Sequence, residues 1–282
     1  MTNKALYDRI RGALYGVAIG DALGGPLEFM SAAEIRQKHG RVTEMIGGGW
    51  LSLKPGETTD DTAMTLAVAE GILENPRDPY QAIGRRFIEW YRSGPKDIGN
   101  ACRSSIQNAI DNGGDWWEAA HQTQARQRYP VEGNGALMRT IYPALYYTDK
   151  HDRQLYARGI ALMTHAGKES TDLCEQYVEE VHATIKGEIL FWRLPISKPT
   201  GYVVDSYNVA VNSITNNINF EESLIEAVNR GGDADTIGAI CGGLAGAMYG
   251  YSSIPERWII FLNEDLRKQL DRLAEAAYAQ HE

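Results

Sequence analysis

The chain has 282 residues, 43% hydrophobic and 23% charged, enough for a large buried core, which excludes an extended disordered protein. Its formal net charge of −9 sets a field that repels nucleic-acid backbones and anionic lipid surfaces, so neither is an expected partner. Three scattered cysteines, Cys102, Cys174 and Cys241, match neither a disulfide framework nor a paired-cysteine metal site and read as buried thiols of a cytoplasmic protein.

Along the chain, Lys4, Arg9 and Arg11 precede an apolar stretch at 13–19 in signal-peptide order, but Asp21 follows at once. The stretch falls short of the roughly 20 apolar residues of a membrane span, so the chain reads as mature from residue 1, with no membrane insertion. Gly12, Gly16, Gly20 and Gly24 recur every fourth residue, as do Gly238, Gly242, Gly246 and Gly250. Each set falls near one side of a helix, where the missing β-carbon admits another backbone, so two tightly packed central helices are expected, each with an acidic end. Residues 42–53, interrupted by Gly47, Gly48 and Gly49, read as a loop or small hairpin. Apolar faces at helical spacing follow, at Leu173, Tyr177, Val181 and Ile185, at Leu224, Ile225 and Val228, and at Leu266, Leu270, Leu273 and Ala277. The most apolar run, 236–250, reads as a core helix. With alternating patterns scarce and no linker, the expectation is an all-α fold of ten or more helices, one domain spanning residues 1–282.

Two acidic clusters stand before apolar helical runs, Thr58-Thr59-Asp60-Asp61-Thr62 and Asp233-Ala234-Asp235-Thr236. Capping of free helix amides accounts for one carboxylate at each, but two crowded carboxylates repel and lose hydration unless a cation joins them. Four aspartates with Thr59 and Thr236 offer the oxygen ligands that two Mg²⁺ or Mn²⁺ ions prefer, whereas zinc would want His or Cys nearby. Other polar candidates lie at glycine-rich breaks. Glu28 follows Gly24-Gly25-Pro26-Leu27, and Asp97 and Asn100 precede a helix expected near Ala101, which either could cap. Gly133-Asn134-Gly135-Ala136 offers amides to an anion such as a diphosphate. His165 lies in a polar break, and Arg139, Lys168 and Arg230 could offset the acidic field if they are not simply solvated.

Taken together, GDALGGPLEF at 20–29, GGGWLSLKPGETTDDT at 47–62, GPKDIGNACR at 94–103, GNGALMR at 133–139, GYVVDS at 201–206 and NRGGDADTIGA at 229–239 resemble the ADP-ribosylglycohydrolase family over nearly the full chain. The resemblance implies an all-α fold with a dinuclear Mg²⁺ or Mn²⁺ centre in a central cleft. By position it implies Thr59, Asp60, Asp61, Asp233, Asp235 and Thr236 as metal ligands, and Asp97 and Glu28 as catalytic groups. It likewise implies Asn100, Asn134, Gly135, His165 and Tyr202 as substrate-binding residues. The match is weakest after Thr164, where Ala166, Gly167 and Lys168 replace a more polar stretch. The implied activity is removal of ADP-ribose from arginine of a target protein; the branch of the family most similar in these motifs points to nitrogenase reductase as that target, with a regulatory protein as a further partner. Hydrolysis of a serine or small-molecule linkage, and a non-catalytic module that binds ADP-ribose or blocks a transferase, are the alternatives.

Overall fold

A computed structural model describes residues 2–190 and 192–282. Among these residues fourteen α-helices follow one another with no strand, only three isolated bridges. The first half carries α1 (Asn3–Gly24), α2 (Ala32–His39), α3 (Asp60–Glu74), α4 (Tyr80–Arg92), α5 (Asn100–Asp111), α6 (Trp116–Ala125) and α7 (Tyr142–Tyr146). The second carries α8 (Lys150–Leu162), α9 (Lys168–Ile185), α10 (Val203–Thr215), α11 (Phe220–Val228), α12 (Ala234–Tyr249), α13 (Glu256–Ile259) and α14 (Glu264–Tyr278). The expected all-α architecture is present.

Many helix starts follow local chemistry. Ser31 and Glu34 form a reciprocal capping box on α2, and Asp115, Asp149 and Asn219 each accept an amide at the start of α6, α8 and α11. The apolar faces read from sequence turn inward. Tyr177, Val181 and Ile185 of α9, Leu224, Ile225 and Val228 of α11, and Leu270, Leu273 and Ala277 of α14 all join one continuous core, while Leu173 and Leu266 pack on it partly buried.

At the centre α1 and α12 run antiparallel with their backbones in contact. A β-carbon at Gly16 would lie 1.9 Å from the Gly242 carbonyl oxygen, one at Gly20 1.9 Å from that of Gly238, and one at Gly12 2.4 Å from that of Gly246. The two glycine sets therefore interlock as expected, with two departures. Gly24 opposes Ala234 rather than a fourth glycine, and Gly250 lies past the end of α12 at φ +84°, with Asp8 where its β-carbon would be. Gly250 terminates the helix, and its carbonyl carbon would still lie 2.7 Å from a β-carbon at Gly12. Because the helices are antiparallel, the C-terminal end of α1 meets the N-terminal end of α12, bringing residues 21–28 beside residues 233–236.

Residues 42–53 form a loop with a single bridge between Gly48 and Leu53. The three cysteines are buried and unpaired. No helix of the described residues is long and apolar enough to cross a membrane. Gly16→Ala is expected to lower stability by about 1–3 kcal/mol, although alanine favours an isolated helix by about 1 kcal/mol, because the added methyl meets backbone that cannot move aside. Thermal unfolding checks this, and an unchanged or raised midpoint would contradict the close approach.

Candidate active site

The N-termini of α3 and α12, the exit of α1 and the loop before α5 converge on a cavity of about 530 Å³. Glu28, Asp60, Asp97, Asp233, Asp235 and Thr236 line one side; Gly133, Asn134, Gly135 and His165 line another, with Asn100 between Gly99 and Ala101 at the start of α5. Carboxylate oxygens of Glu28, Asp233 and Asp235 lie within 4.8 Å of one another.

Neither N-cap side chain caps its own helix. Thr59 and Asp233 occupy the N-cap positions of α3 and α12, and neither side chain accepts an amide there. The capping reading of these residues is therefore wrong, and the reason for α3 lies elsewhere. Asp21, fully buried in the last turn of α1, caps α3 from another helix. Its carboxylate accepts the Thr59 amide at 3.0 Å, the Thr62 amide at 3.1 Å, and the hydroxyls of Thr59 at 2.9 Å and Thr62 at 2.5 Å. A carboxylate is unfavourable at the C-terminal end of its own helix and favourable at the N-terminal end of α3, so the interaction ties the two helices together. With the capping role taken, Asp60 and Asp61 remain free for other partners.

Asp61 sits deepest. Its Oδ2 accepts from the Thr236 hydroxyl at 3.4 Å, joining the two clusters, and lies 3.2 Å from the Thr59 hydroxyl, whose proton goes to Asp21. Its Oδ1 is buried with no hydrogen-bond partner. Asp60 accepts the Gly99 amide at 3.3 Å, Asp235 accepts the Thr236 amide at 2.9 Å, and Asp233 accepts from the Asn134 side-chain amide at 2.8 Å. Glu28 accepts the Trp50 indole N–H at 2.7 Å. These donors are hydroxyls, backbone and side-chain amides and one indole; no ammonium or guanidinium group is among them.

Burial without a cationic partner dictates the protonation behaviour. Burial, and then the charges of Asp21 and Asp60, push Asp61 well above the usual carboxylate range; burial, then Asp61 and Asp233, do the same to Asp235. Asp60 is pushed up to about 7 by burial and by Asp97, and Glu28 to about 8 by burial, only partly offset by the Trp50 N–H. Asp21 reaches about 6 despite its four donors, because it is wholly buried. Asp97 is half-buried and raised mainly by burial; it accepts its neighbour Ile98's amide at 2.7 Å. It does not cap α5, which starts at Asn100 with Gly99 at its N-cap and no side-chain cap.

An orphaned carboxylate oxygen among crowded, unpaired carboxylates and hydroxyls is the donor set of a hard divalent cation. Glu28, Asp233 and Asp235, whose oxygens lie close together, fit such an ion; this acidic group contains no His or Cys that would favour zinc.

The part of the lining around Gly135 and His165 is organised by Arg139. The expectation of a solvated surface group fails for this residue: it is fully buried, donating to the carbonyls of Gly135 at 2.9 Å and Ile160 at 3.1 Å and to the Thr164 hydroxyl at 2.7 Å. Lys168 and Arg230 are exposed and paired with Asp172 and Glu226. The Thr164 hydroxyl accepts from Arg139 and lies 2.7 Å from His165 Nδ1. Burial, and then the Arg139 charge, hold the imidazole neutral with a pKa of about 3. Its Nε2 is the nitrogen beside Gly133 and Gly135, whose added β-carbons would lie 3.1 and 3.4 Å from it. His165 presents this edge of its ring to the glycine-rich loop. Asn134 acts differently, its amide bridging Ser206 and Asp233 at 2.8 Å each. Tyr202 lies beside this loop, bridged to Gly133, with its hydroxyl donated to Glu169 rather than into the cavity.

An all-α scaffold whose helix ends surround a carboxylate-rich cavity defines the class, and comparison with known proteins gives the family. The ADP-ribosylglycohydrolase family model matches residues 2–198 and 191–282, and the chain belongs to that family. It is 35% identical to the ADP-ribosyl-[dinitrogen reductase] glycohydrolase of Rhodospirillum rubrum, over 99% of this chain and 98% of that protein. It is 30% identical to the ADP-ribosylarginine hydrolase Tri1 of Serratia proteamaculans (strain 568), over 96% of this chain and 79% of that protein. A solved structure described as an ADP-ribosylglycohydrolase-related protein complex superposes with a TM-score of 0.85 at 32% identity, over 99% of this chain and 100% of the other.

The shifted carboxyls make the metal-free protein sensitive to pH. Each has a higher pKa folded than unfolded, so folding favours the protonated form, and this stability is lost as pH rises through about 6 for Asp21, about 7 for Asp60 and about 8 for Glu28. The unfolding midpoint of chelator-treated protein should therefore fall between about pH 5 and pH 8, and added Mn²⁺ or Mg²⁺ should remove the slope. A midpoint independent of both pH and metal would contradict this electrostatic account.

Proposed function

We propose that the protein is a metal-dependent hydrolase that cleaves the N-glycosidic bond between ADP-ribose and an arginine side chain of a target protein. The partner-free Oδ1 of Asp61, buried where two acidic helix ends meet, supports this reading most directly. The names of the R. rubrum and Serratia relatives, which specify a dinitrogen reductase glycohydrolase and an ADP-ribosylarginine hydrolase, support the linkage and make nitrogenase reductase the candidate target.

Cleavage builds positive charge on the anomeric carbon, requires a water to lose a proton, and releases the guanidine. Thr59, Asp60, Asp61, Asp233, Asp235 and Thr236, with Glu28 beside them, would hold Mg²⁺ or Mn²⁺ ions, two of them in this proposal. When bound, such ions supply positive charge and polarise the oxygens they touch. In this proposal Asp97 and Glu28, both on the cavity wall, take the proton from water and return one to the departing nitrogen. In this proposal the glycine-rich loop and His165 Nε2 face the diphosphate, with the buried Arg139 charge behind them. Asn134 keeps Asp233 oriented. The acidic wall suits the sugar and the cationic leaving group, and the donor wall suits the anion.

The test is release of ADP-ribose from an arginine-modified protein by metal-stripped enzyme, with and without Mn²⁺, beside serine-linked and small-molecule substrates. Turnover of the arginine linkage that chelator abolishes is expected; cleavage of serine linkages alone would overturn the assignment. Asp60→Ala and Asp235→Ala should lose metal and at least about a hundredfold in turnover with the helical signal intact. Asp97→Ala should keep the metal yet slow by about a hundredfold, within the usual range for a proton-transfer group, and normal turnover would remove its chemical role.

A further inference from the structure

Two large aromatic rings stand exposed at the mouth of the cavity, and nothing in the chemistry above uses them. Phe29 is 70% and Trp50 53% exposed, their ring centroids 5.5 Å apart and tilted by 40°. Both line the cavity as well as an adjoining groove along α2, so the pair forms the ridge between the reacting centre and the outer surface.

Their exposure is built in. Trp50 lies at the tip of a turn closed by three hydrogen bonds, Gly48 N–H to Leu53 O at 2.7 Å, Leu53 N–H to Gly48 O at 2.8 Å, and Ser52 N–H to Gly49 O at 3.2 Å. Leu51 and Leu53 bury their side chains and anchor the turn, while Gly49 lets it lie against Pro26, whose Cα would be 2.9 Å from a β-carbon there. Phe29 holds φ at +63°, a region costly for an aromatic residue, and its amide is fixed to the Gly232 carbonyl at 2.7 Å. The Trp50 N–H edge is bound to Glu28, which keeps the ring beside the acidic wall with much of its surface open to solvent.

We propose that Phe29 and Trp50 form the leaving-group subsite, in which the guanidinium and aliphatic stem of the modified arginine lie against the rings. The inference rests on the arginine-linkage reading. A planar cation is attracted to indole and phenyl faces, and the neighbouring carboxyl groups of Glu28 and Asp97 add favourable charge. A neutral serine would gain little from the same surface, so the pair would set linkage preference as well as affinity.

The experiment uses Mn²⁺-loaded full-length enzyme with ADP-ribosylarginine as substrate, and ADP-ribose alone as a competitive inhibitor. Trp50→Ala is expected to raise KM about tenfold, with the ADP-ribose inhibition constant changed less than about twofold, as a lost cation–π contact to the leaving group requires. Trp50→Phe, which keeps a ring but not the N–H to Glu28, should keep KM within about threefold of wild type, and Phe29→Ala should raise it in the same direction as Trp50→Ala. Unchanged KM in Trp50→Ala, or equal weakening of ADP-ribose itself, would overturn the subsite while wild-type turnover preserves the linkage reading. A wild-type enzyme that leaves arginine linkages intact would overturn the linkage reading and the subsite with it.

Discussion

The backbone contact between α1 and α12 is the constraint on which the site depends. Interlocked glycines leave no room for a side chain between the two helices, so a slip of one, two or three residues would place larger groups against backbone. That register sets Gly24 against Ala234 and thereby brings Asp21 and Glu28 beside Asp233 and Asp235. The Asp21 carboxylate then reaches across to the amides of α3 and adds Asp60 and Asp61 to the group. Three helix ends distant in sequence are thus positioned by one packing interface and one interhelical cap.

The resulting electrostatics are divided by wall. On one side, carboxyl groups are concentrated without an ammonium or guanidinium partner, a state that costs free energy until protons or cations join it. On the other, a buried guanidinium is spread over carbonyl and hydroxyl acceptors, and its charge adds to burial in keeping His165 neutral. A ligand with an anionic middle and a cationic end matches this division. The acidic net charge of the whole chain, which opposes an anionic ligand at long range, is answered locally by Arg139 and by whatever cation the carboxylates hold.

Much of this was legible in the sequence because it is periodic or local. Glycines at every fourth residue announce a helix that touches another backbone, and doubled aspartates ahead of apolar runs exceed what capping needs. The interhelical role of Asp21 was not legible, since a single carboxylate at the end of an apolar helix identifies no partner 38 residues away; its one signal was a charge within a segment otherwise destined for the core. Arg139 was read as solvated because composition favours exposed arginines, and only the fold reveals that its acceptors come from residues 135, 160 and 164. The aromatic ridge was hidden for the opposite reason: Trp50 stands among apolar neighbours and suggests burial, whereas the turn buries Leu51 and Leu53 and leaves the indole outside. Pattern reveals which residues share a face, and tertiary structure decides which face meets solvent.

The central claim is that the buried carboxylates around Asp61 are a cation site. Anomalous diffraction at the manganese absorption edge, from crystals grown in Mn²⁺, tests it most directly. The account expects strong peaks at the junction of α1, α3 and α12, in contact with Asp61 and with Asp60, Asp233 or Asp235. Crystals that show no peak there, with the Asp61 carboxyl satisfied by protein groups or water, would contradict it.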